Sequence, residues 1–394
     1  MHNGWGAKHL VKFATSQIVS RPPRLLAVNL RHPTKQQTHV VHNFNSGPSV
    51  LPKVVFEEAS RAILDFNNTG LSILEIGHRT PLFQAVMDEA VALIKELMQL
   101  SDDKEVLFLH GGASTQFFQV PMNLLPAGAT AAYLDGGTWG TKAIKEARRF
   151  GQVHVLGSSA DKNYSYLPHD WQVPAGMQYV HITSNNTIEG TQQHEWPNTD
   201  APLVSDMSSD IMSRQLDFNR FDLIYAGAQK NMGAAGVNLV IINKELLGKA
   251  ERDIPAMLDY RQHIANGSML NTPPVFAVYV CMLTLRWLKQ QGGIAGIEPI
   301  NQAKARLLYD ALERLPVFTP TVAPADRSLM NVVWVMQDPA LEAAFLAECK
   351  ANGMVGIKGH RSVGGFRASL YNALEMSSVE ALVALMEDFA RRHG

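Results

Sequence analysis

From about residue 55 onward, apolar and polar positions form two kinds of pattern. Stretches with apolar residues every three to four positions predict amphipathic helices over residues 54–66, 82–98, 302–312 and 341–352. A last helix is predicted to begin at a capping box formed by Ser377 and Glu380. Short apolar runs predict strands over residues 105–109, 131–134, 179–183, 203–207, 223–225, 237–242, 330–335 and 366–371. This alternation predicts an α/β fold with a mostly parallel sheet covered by helices.

The rhythm changes past about residue 300, where a smaller α/β unit is predicted. We expect a large domain over residues 58–300 and a small domain made of residues 41–57 with 301–394. Residues 1–40 are basic, and the chain has no Asp or Glu before Glu57. This segment is typical of an organelle transit peptide, a disordered extension or a stretch that follows an upstream start codon. Without a transit peptide we expect a cytoplasmic protein.

Composition narrows the possible functions. The 394 residues carry a formal net charge of -1, so the chain has no global basic field for nucleic acid or anionic membranes. The longest apolar run, residues 275–285, is too short to cross a bilayer and follows two prolines, where a buried helix can begin. The two cysteines lack metal-site or disulfide spacing, and the 14 histidines form no HExxH pattern. We therefore predict no metal, nucleic-acid or membrane partner.

A glycine turn follows the predicted strand at residues 105–109. His110-Gly-Gly112 leads into Ala113-Ser114-Thr115, where a helix is expected to begin. Free N–H groups of a first helical turn, the helix dipole and two hydroxyls favour a bound phosphate. A tight connection without a ligand explains the same pattern equally well.

Two further candidates, Asp206 and Lys230, follow apolar strands. In an open α/β sheet, ligands bind beyond the carboxyl ends of the strands, so both side chains should lie near one cleft. A desolvated lysine can form a Schiff base, and an opposing carboxylate can keep a pyridine nitrogen protonated. Taken singly, such a lysine is usually solvated and such an aspartate usually caps a helix.

Six separated segments together resemble the phosphoserine aminotransferases, which are class-V, fold-type-I enzymes that depend on pyridoxal phosphate. The resemblance covers residues 43–394, in the family's order. The segments are Asn45-Ser-Gly-Pro48, Gly77-His-Arg79, Leu109-His-Gly-Gly112, Tyr225-Ala-Gly-Ala-Gln-Lys-Asn231, Asn266-Gly-Ser-Met-Leu-Asn-Thr-Pro-Pro274 and Lys358-Gly-His-Arg-Ser-Val-Gly-Gly365. The family is usually a homodimer with active sites at the subunit interface.

The resemblance implies the roles of the residues at the cofactor. Lys230 becomes the Schiff-base lysine and general base, Asp206 pairs with the pyridine nitrogen, and Trp139 stacks on the ring. Other implied contacts are Thr187 at the ring oxygen, Ala113, Ser114 and Gln229 at the phosphate, and Asn271 and Thr272 from the other subunit. One branch of the family has Gly-Arg in place of Ala113-Ser114, and the positive charge of that arginine is missing here. Hydroxyl and backbone donors should therefore contribute more to binding the cofactor phosphate.

The resemblance also implies the substrates. Glutamate donates an amino group and leaves as 2-oxoglutarate, and 3-phosphohydroxypyruvate accepts the group and becomes phosphoserine in serine biosynthesis. A related step in vitamin B6 synthesis is a further implied activity. The substrate contacts are Arg367 at the α-carboxylate, His78, Arg79, His360 and Arg361 at the phosphate or distal carboxylate, and Ser46 at glutamate.

Three alternatives stay open. Another fold-type-I transaminase, such as one of the alanine-glyoxylate type, has no evident use for two His-Arg pairs. A cysteine desulfurase needs a mobile cysteine, whereas Cys281 and Cys349 lie in predicted helices. A non-enzymatic scaffold would not need the lysine, the aspartate and the tryptophan together.

Overall fold

The computed structural model describes residues 40–394 of the chain. Its strands are β1 His42–Asn43, β2 Lys104–Leu109, β3 Thr130–Asp135, β4 Gln152–Ser158, β5 Val180–Thr183, β6 Asn185–Asn186, β7 Thr191–Gln192, β8 Leu203–Asp206, β9 Leu223–Gly227, β10 Asn238–Asn243, β11 Phe318–Pro320, β12 Asn331–Met336, β13 Met354–Val355 and β14 Phe366–Ser369. Its α-helices are α1 Lys53–Leu64, α2 Pro81–Leu97, α3 Gly112–Leu124, α4 Thr138–Ala147, α5 Tyr260–Ala265, α6 Val275–Gln290, α7 Gly293–Arg314, α8 Glu342–Ala351 and α9 Met376–His393. The predicted N-terminal extension lies outside the described residues, apart from residue 40.

The central sheet has the strand order β2-β10-β9-β8-β5-β3-β4. Strand β10 is antiparallel to both neighbours, and the other neighbouring pairs are parallel. Successive side chains of a strand point to opposite faces, so Val106 and Phe108 enter one core while Leu107 and Leu109 enter the other. Helices α1, α2 and α6 supply the first core, and α3, α4 and α5 supply the second. The predicted α/β fold, a mostly parallel sheet covered by helices, is confirmed.

A second sheet lies in the C-terminal part of the chain. Its antiparallel strands β11, β12 and β14 share a core with α7, α8 and α9, and Phe44 joins that core from the other end of the chain. Strand β1 also pairs with β13. These contacts support our proposal that residues 41–57 belong with residues 301–394, although the proposed boundary at residue 300 lies inside α7.

Two predictions about elements were wrong, and one strand of the central sheet was missed. Helix α7 begins nine residues before predicted Gln302 and continues through Pro299. Strand β4 was missed, because its partly exposed residues and Gly157 give no continuous apolar run. The capping box was also wrong: α9 begins at Met376, one residue before Ser377, so that serine lies in the first turn and the cap residue Glu375 makes no side-chain hydrogen bond to the helix.

Residues 40–394 contain neither a candidate membrane-spanning helix nor a candidate metal-ligand cluster. None of the helices there is both long and apolar enough to cross a bilayer. In the same part of the chain, no group of three or more His, Cys, Asp or Glu residues is placed to hold a metal ion.

Candidate active site

A cavity of about 690 Å³ lies beyond the carboxyl ends of the parallel strands. This volume suits a ligand of cofactor size. It brings together most of the residues predicted from sequence. Those that line it are Ser46, Ala113, Ser114, Trp139, Thr187, Asp206, Gln229, Lys230, His360, Arg361 and Arg367.

Asp206 is the last residue of β8 and is buried at the cavity wall. Its Oδ1 atom accepts hydrogen bonds from the backbone N–H and the hydroxyl of Ser208, at 2.9 and 2.6 Å. Burial raises the pKa of Asp206, and the hydrogen bonds from Ser208 oppose that rise. Within residues 40–394 the Oδ2 atom accepts no hydrogen bond, so the carboxylate can still receive a donor from a ligand.

Lys230 lies three residues after β9 and lines the same cavity as Asp206. Its Nζ atom donates a hydrogen bond to Oγ1 of Thr187 at 2.6 Å. Burial lowers the pKa of Lys230 to about 8, with Arg367 adding to the effect and Asp206 opposing it. The amine is therefore neutral in a useful fraction of molecules near physiological pH, as a nucleophile requires.

Gly47 allows the N-terminal segment to approach this lysine. A Cβ atom at Gly47 would lie 3.4 Å from the Cγ atoms of both Gln229 and Lys230, and the backbone φ of Gly47 is +140°. The next residues bind the lysine segment directly, because the Ser49 hydroxyl donates to the Lys230 carbonyl and the Ser49 N–H to the Gln229 carbonyl at 3.0 Å. The Asn45-Ser-Gly-Pro motif thus positions one wall of the cavity.

The glycine turn has the predicted geometry. Strand β2 ends at Leu109, Gly111 adopts a left-handed conformation with φ 91°, and α3 begins at Gly112. The Thr115 hydroxyl donates to the Gly111 carbonyl at 2.9 Å, in the space where a Cβ atom of residue 111 would lie. Because Ala113 and Ser114 belong to the first turn of α3 and line the cavity, their backbone N–H groups can bind an anion there.

Trp139 lies in the first turn of α4 and forms an aromatic wall of the cavity. Its ring packs at 6.4 Å from that of Phe117, and its Nε1 atom is buried without a hydrogen-bond partner among the described residues. The start of α4 is fixed by Glu189, whose Oε1 atom accepts from the N–H and the hydroxyl of Thr138. A flat ring held in this way offers a stacking surface for a planar ligand.

Part of the cavity wall is cationic. Arg367, in β14, is buried and donates to Oγ of Ser46 at 2.7 Å and to the Thr187 carbonyl at 3.2 Å. The neighbouring His360 and Arg361 also line the cavity. Burial lowers the pKa of His360, and the charges of Arg367 and Arg361 lower it further. This side of the cavity can bind anionic groups.

Four predicted residues do not line the cavity of a single chain. His78 and Arg79 lie just before α2, and Asn271 and Thr272 lie in the loop before α6. The Thr272 carbonyl is 3.0 Å from Nε2 of His110, so this loop lies against the glycine turn. The one-chain site therefore lacks part of the predicted set.

Sequence reasoning missed several cavity residues, among them Lys142, Asn185, Ser208 and Ser362. Lys142 lies one helical turn after Trp139, a spacing that could have indicated a shared face. The serines and the asparagine follow strand ends, but small polar residues in loops are too common to single out.

The donor set fits pyridoxal phosphate. A lysine of lowered pKa and a buried carboxylate line one cavity, an aromatic ring forms another wall, and an anion cradle lies at the start of α3. Each of these features corresponds to one part of that cofactor: the aldehyde, the pyridine nitrogen, the ring face and the phosphate.

Comparisons with known proteins agree with one another. A family model described as aminotransferase class-V matches residues 41–382. The phosphoserine aminotransferase of Flavobacterium johnsoniae is 56% identical over 347 residues, which are 88% of this chain and 98% of that protein.

Solved structures give the same result. The phosphoserine aminotransferase from Bacillus circulans subsp. alkalophilus is similar with a TM-score of 0.88 and 43% identity, covering 90% of this chain and 99% of that one. The pyridoxal-phosphate-bound phosphoserine aminotransferase from Trichomonas vaginalis is similar with a TM-score of 0.84 and 34% identity, covering 88% and 100%.

Proposed function

The chain belongs to the class-V aminotransferase family, and we propose that it transfers the amino group of glutamate to 3-phosphohydroxypyruvate in a pyridoxal-phosphate-dependent, two-step reaction. The observation that carries the proposal is a single cavity lined by Lys230 and Asp206 together with His360, Arg361 and Arg367. The products are 2-oxoglutarate and phosphoserine, which places the enzyme in serine biosynthesis. The related step of vitamin B6 synthesis is a side activity of the same site.

Lys230 holds the cofactor through its amine and afterwards moves a proton to and from the substrate α-carbon. Its lowered pKa suits this work, because a base must lose and regain its proton near the working pH. The hydrogen bond to Thr187 keeps Nζ within the cavity rather than in solvent. When bound, pyridoxal phosphate supplies the electron sink that makes the α-proton acidic.

With pyridoxal phosphate bound, Asp206 would hold the pyridine nitrogen. Ser208 occupies Oδ1 with two hydrogen bonds and thereby fixes the plane of the carboxylate. Trp139 and Thr187 hold the ring and its oxygen. At the phosphate, the N–H groups and the hydroxyl of Ala113 and Ser114 act with Gln229, and Asn271 and Thr272 come from a second subunit.

The two substrates share their α-carboxylate and differ at the distal group. Arg367 binds the shared carboxylate, because its buried guanidinium is already aimed by Ser46 and the Thr187 carbonyl. His360 and Arg361, with His78 and Arg79, bind the phosphate of one substrate and the distal carboxylate of the other. Ser46 assists with glutamate.

A homodimer with shared active sites follows from this assignment, because His78, Arg79, Asn271 and Thr272 do not line the cavity of their own chain. The residues around α1 and the turn after it support an interface. Several large apolar side chains are exposed there, namely Val54, Phe56, Ile63, Leu64, Leu71, Leu74 and Leu82. Such a cluster is typical of a surface covered by a partner.

The cytoplasm is the proposed location, with an organelle as the alternative if residues 1–40 are a transit peptide. Cys281 and Cys349 are both free and buried, which is consistent with a reducing compartment. Burial raises the pKa of each thiol to about 12. Neither thiol therefore suits the nucleophile of a desulfurase.

Visible absorbance of the purified protein tests the proposal. We expect an aldehyde-form cofactor band that disappears with L-glutamate and returns with 3-phosphohydroxypyruvate. A band that glutamate removes but only glyoxylate restores would favour the alanine-glyoxylate type. A protein that binds no pyridoxal phosphate would instead be a scaffold, and the proposal would be wrong.

A further inference from the structure

Lys142 is a basic residue of the cavity to which the proposed reaction assigns no role. It lies in α4 and lines the cavity that Ser114 and Arg361 also line, and its Nζ atom is 4.3 Å from the centre of the Trp139 ring. Among residues 40–394 it has no carboxylate partner and no hydrogen bond. A lysine held over the proposed stacking tryptophan, with its charge uncompensated, is available to a ligand.

The charge of Lys142 acts on His360, one of the residues proposed to bind the distal group of the substrate. Besides burial, Arg367 and Arg361, Lys142 contributes to lowering the pKa of His360, against the attraction of Glu189. Lys142, His360 and Arg361 also line the same cavity. At the cofactor phosphate, by contrast, the N-terminus of α3 already supplies backbone donors and a favourable dipole.

The distal groups of the two substrates differ in their negative charge. A phosphate monoester carries about −1.5 to −2 charges at pH 7, and a carboxylate carries one. Burial and the charges of Arg367 and Arg361 lower the pKa of His360 and thus favour its neutral form, so Arg361 is the full positive charge that this chain's His-Arg pair brings. Lys142 adds a second full charge, which matters more for the phosphate than for the carboxylate.

We propose that Lys142 is a specificity-determining residue that binds the distal phosphate of phosphoserine and 3-phosphohydroxypyruvate. The proposal rests on the proposed function. Trp139 positions the lysine stem and at the same time forms the aromatic wall, which couples phosphate recognition to the place of the cofactor ring.

The test compares Lys142→Met, Lys142→Arg and Lys145→Met in the cofactor-loaded enzyme. Methionine keeps an apolar stem on Trp139 but removes the charge. We expect Lys142→Met to raise KM for phosphoserine and 3-phosphohydroxypyruvate on the order of tenfold and KM for glutamate by less than about threefold. Lys142→Arg should stay close to the unsubstituted enzyme. Lys145 is the matched control, since it is exposed on the same helix but does not line the cavity.

Inorganic phosphate gives a readout independent of turnover. Titrated against the cofactor absorbance band, it should bind Lys142→Met on the order of tenfold more weakly than the unsubstituted enzyme. Equal KM changes for glutamate and phosphoserine, no change, or a loss that arginine does not rescue would each overturn the proposal. Failure of the proposed function is distinguishable, because the unsubstituted enzyme would then not return its band with 3-phosphohydroxypyruvate.

Discussion

The Nζ atom of Lys230 donates a hydrogen bond to Oγ1 of Thr187 at 2.6 Å, and the carbonyl oxygen of the same threonine accepts from Arg367 at 3.2 Å. One residue thus connects the reactive amine with the proposed carboxylate-binding arginine. Because Thr187 is itself buried, both cations are held at fixed positions around it. The distance between the amine of Lys230 and the guanidinium of Arg367 is therefore set before any ligand enters.

The lowered pKa of Lys230 predicts how cofactor capture depends on pH. Only the neutral amine attacks an aldehyde, and burial lowers this pKa from 10.5 to about 8. The rate at which cofactor-free enzyme captures pyridoxal phosphate should therefore rise about tenfold per pH unit below pH 8 and level off above it. Stopped-flow absorbance between pH 6 and pH 10 measures this rate.

Lys230→Ala is the control for that measurement, because it removes the amine and should abolish the covalent phase. A rate that keeps rising past pH 9.5 would show that the amine titrates as in water, and the burial argument would then be wrong.

Arg367→Lys should weaken the binding of both substrates to a similar extent. Lysine keeps the charge but loses the planar fork that grips a carboxylate at two points, and it cannot keep both contacts, to Ser46 and to the Thr187 carbonyl. We expect KM for glutamate and for phosphoserine each to rise about 10- to 100-fold. Steady-state kinetics with each substrate measure this, and a rise confined to one substrate contradicts the assignment of the shared α-carboxylate.

Much of the fold could be predicted from sequence, and so could the part of the candidate site that contains Asp206, Lys230 and the glycine turn, because both depend on local patterns. Asp206 ends an apolar strand and Lys230 follows one, so the sheet rule that places ligands beyond strand ends brought them to one cleft. The glycine turn was recognisable because Gly111 and Gly112 directly precede the helical pattern of α3.

The residues that were missed depend on tertiary contacts. Lys142 and Lys304 each lie on a helix, where a lysine usually faces solvent. Only the folded chain places Lys142 over Trp139 and buries Lys304 completely. The places of His78 and Arg79 also could not be predicted, because under the proposed function they complete the site of a second chain.

Lys304 gives a prediction about stability. Its buried Nζ atom donates to the carbonyls of Leu370, Tyr371 and Leu374, at 3.1, 2.8 and 3.1 Å. Lys304→Met leaves these three acceptors without that donor, so we expect the free energy of unfolding to fall by about 2–4 kcal/mol. Urea unfolding at a fixed protein concentration measures this.

The matched control is Arg306→Met on the same helix, at an exposed position. It should change the free energy of unfolding by less than about 0.5 kcal/mol. If the two variants were equally stable, the carbonyl contacts of Lys304 would contribute nothing measurable.

Two inactive variants should restore activity to each other if active sites are shared. We expect Lys230→Ala to abolish amino transfer at its own site. We expect Arg79→Ala to impair the site of the partner subunit, since Arg79 does not line the cavity of its own chain. In a heterodimer of the two variants, both changes then fall on one site and the other site is intact. Its activity should be about half that of the unsubstituted dimer.

Co-expression with two different affinity tags isolates this heterodimer, and coupled assays of 2-oxoglutarate formation measure its rate. The tagged homodimers of each variant are the controls, and both should be nearly inactive with 3-phosphohydroxypyruvate and glutamate. If Arg79 instead served its own chain, each site of the heterodimer would carry one damaging change, and the heterodimer would be as inactive as the homodimers. The same experiment with His78→Ala in place of Arg79→Ala decides whether both residues of the pair cross the interface, because they are adjacent in the turn before α2.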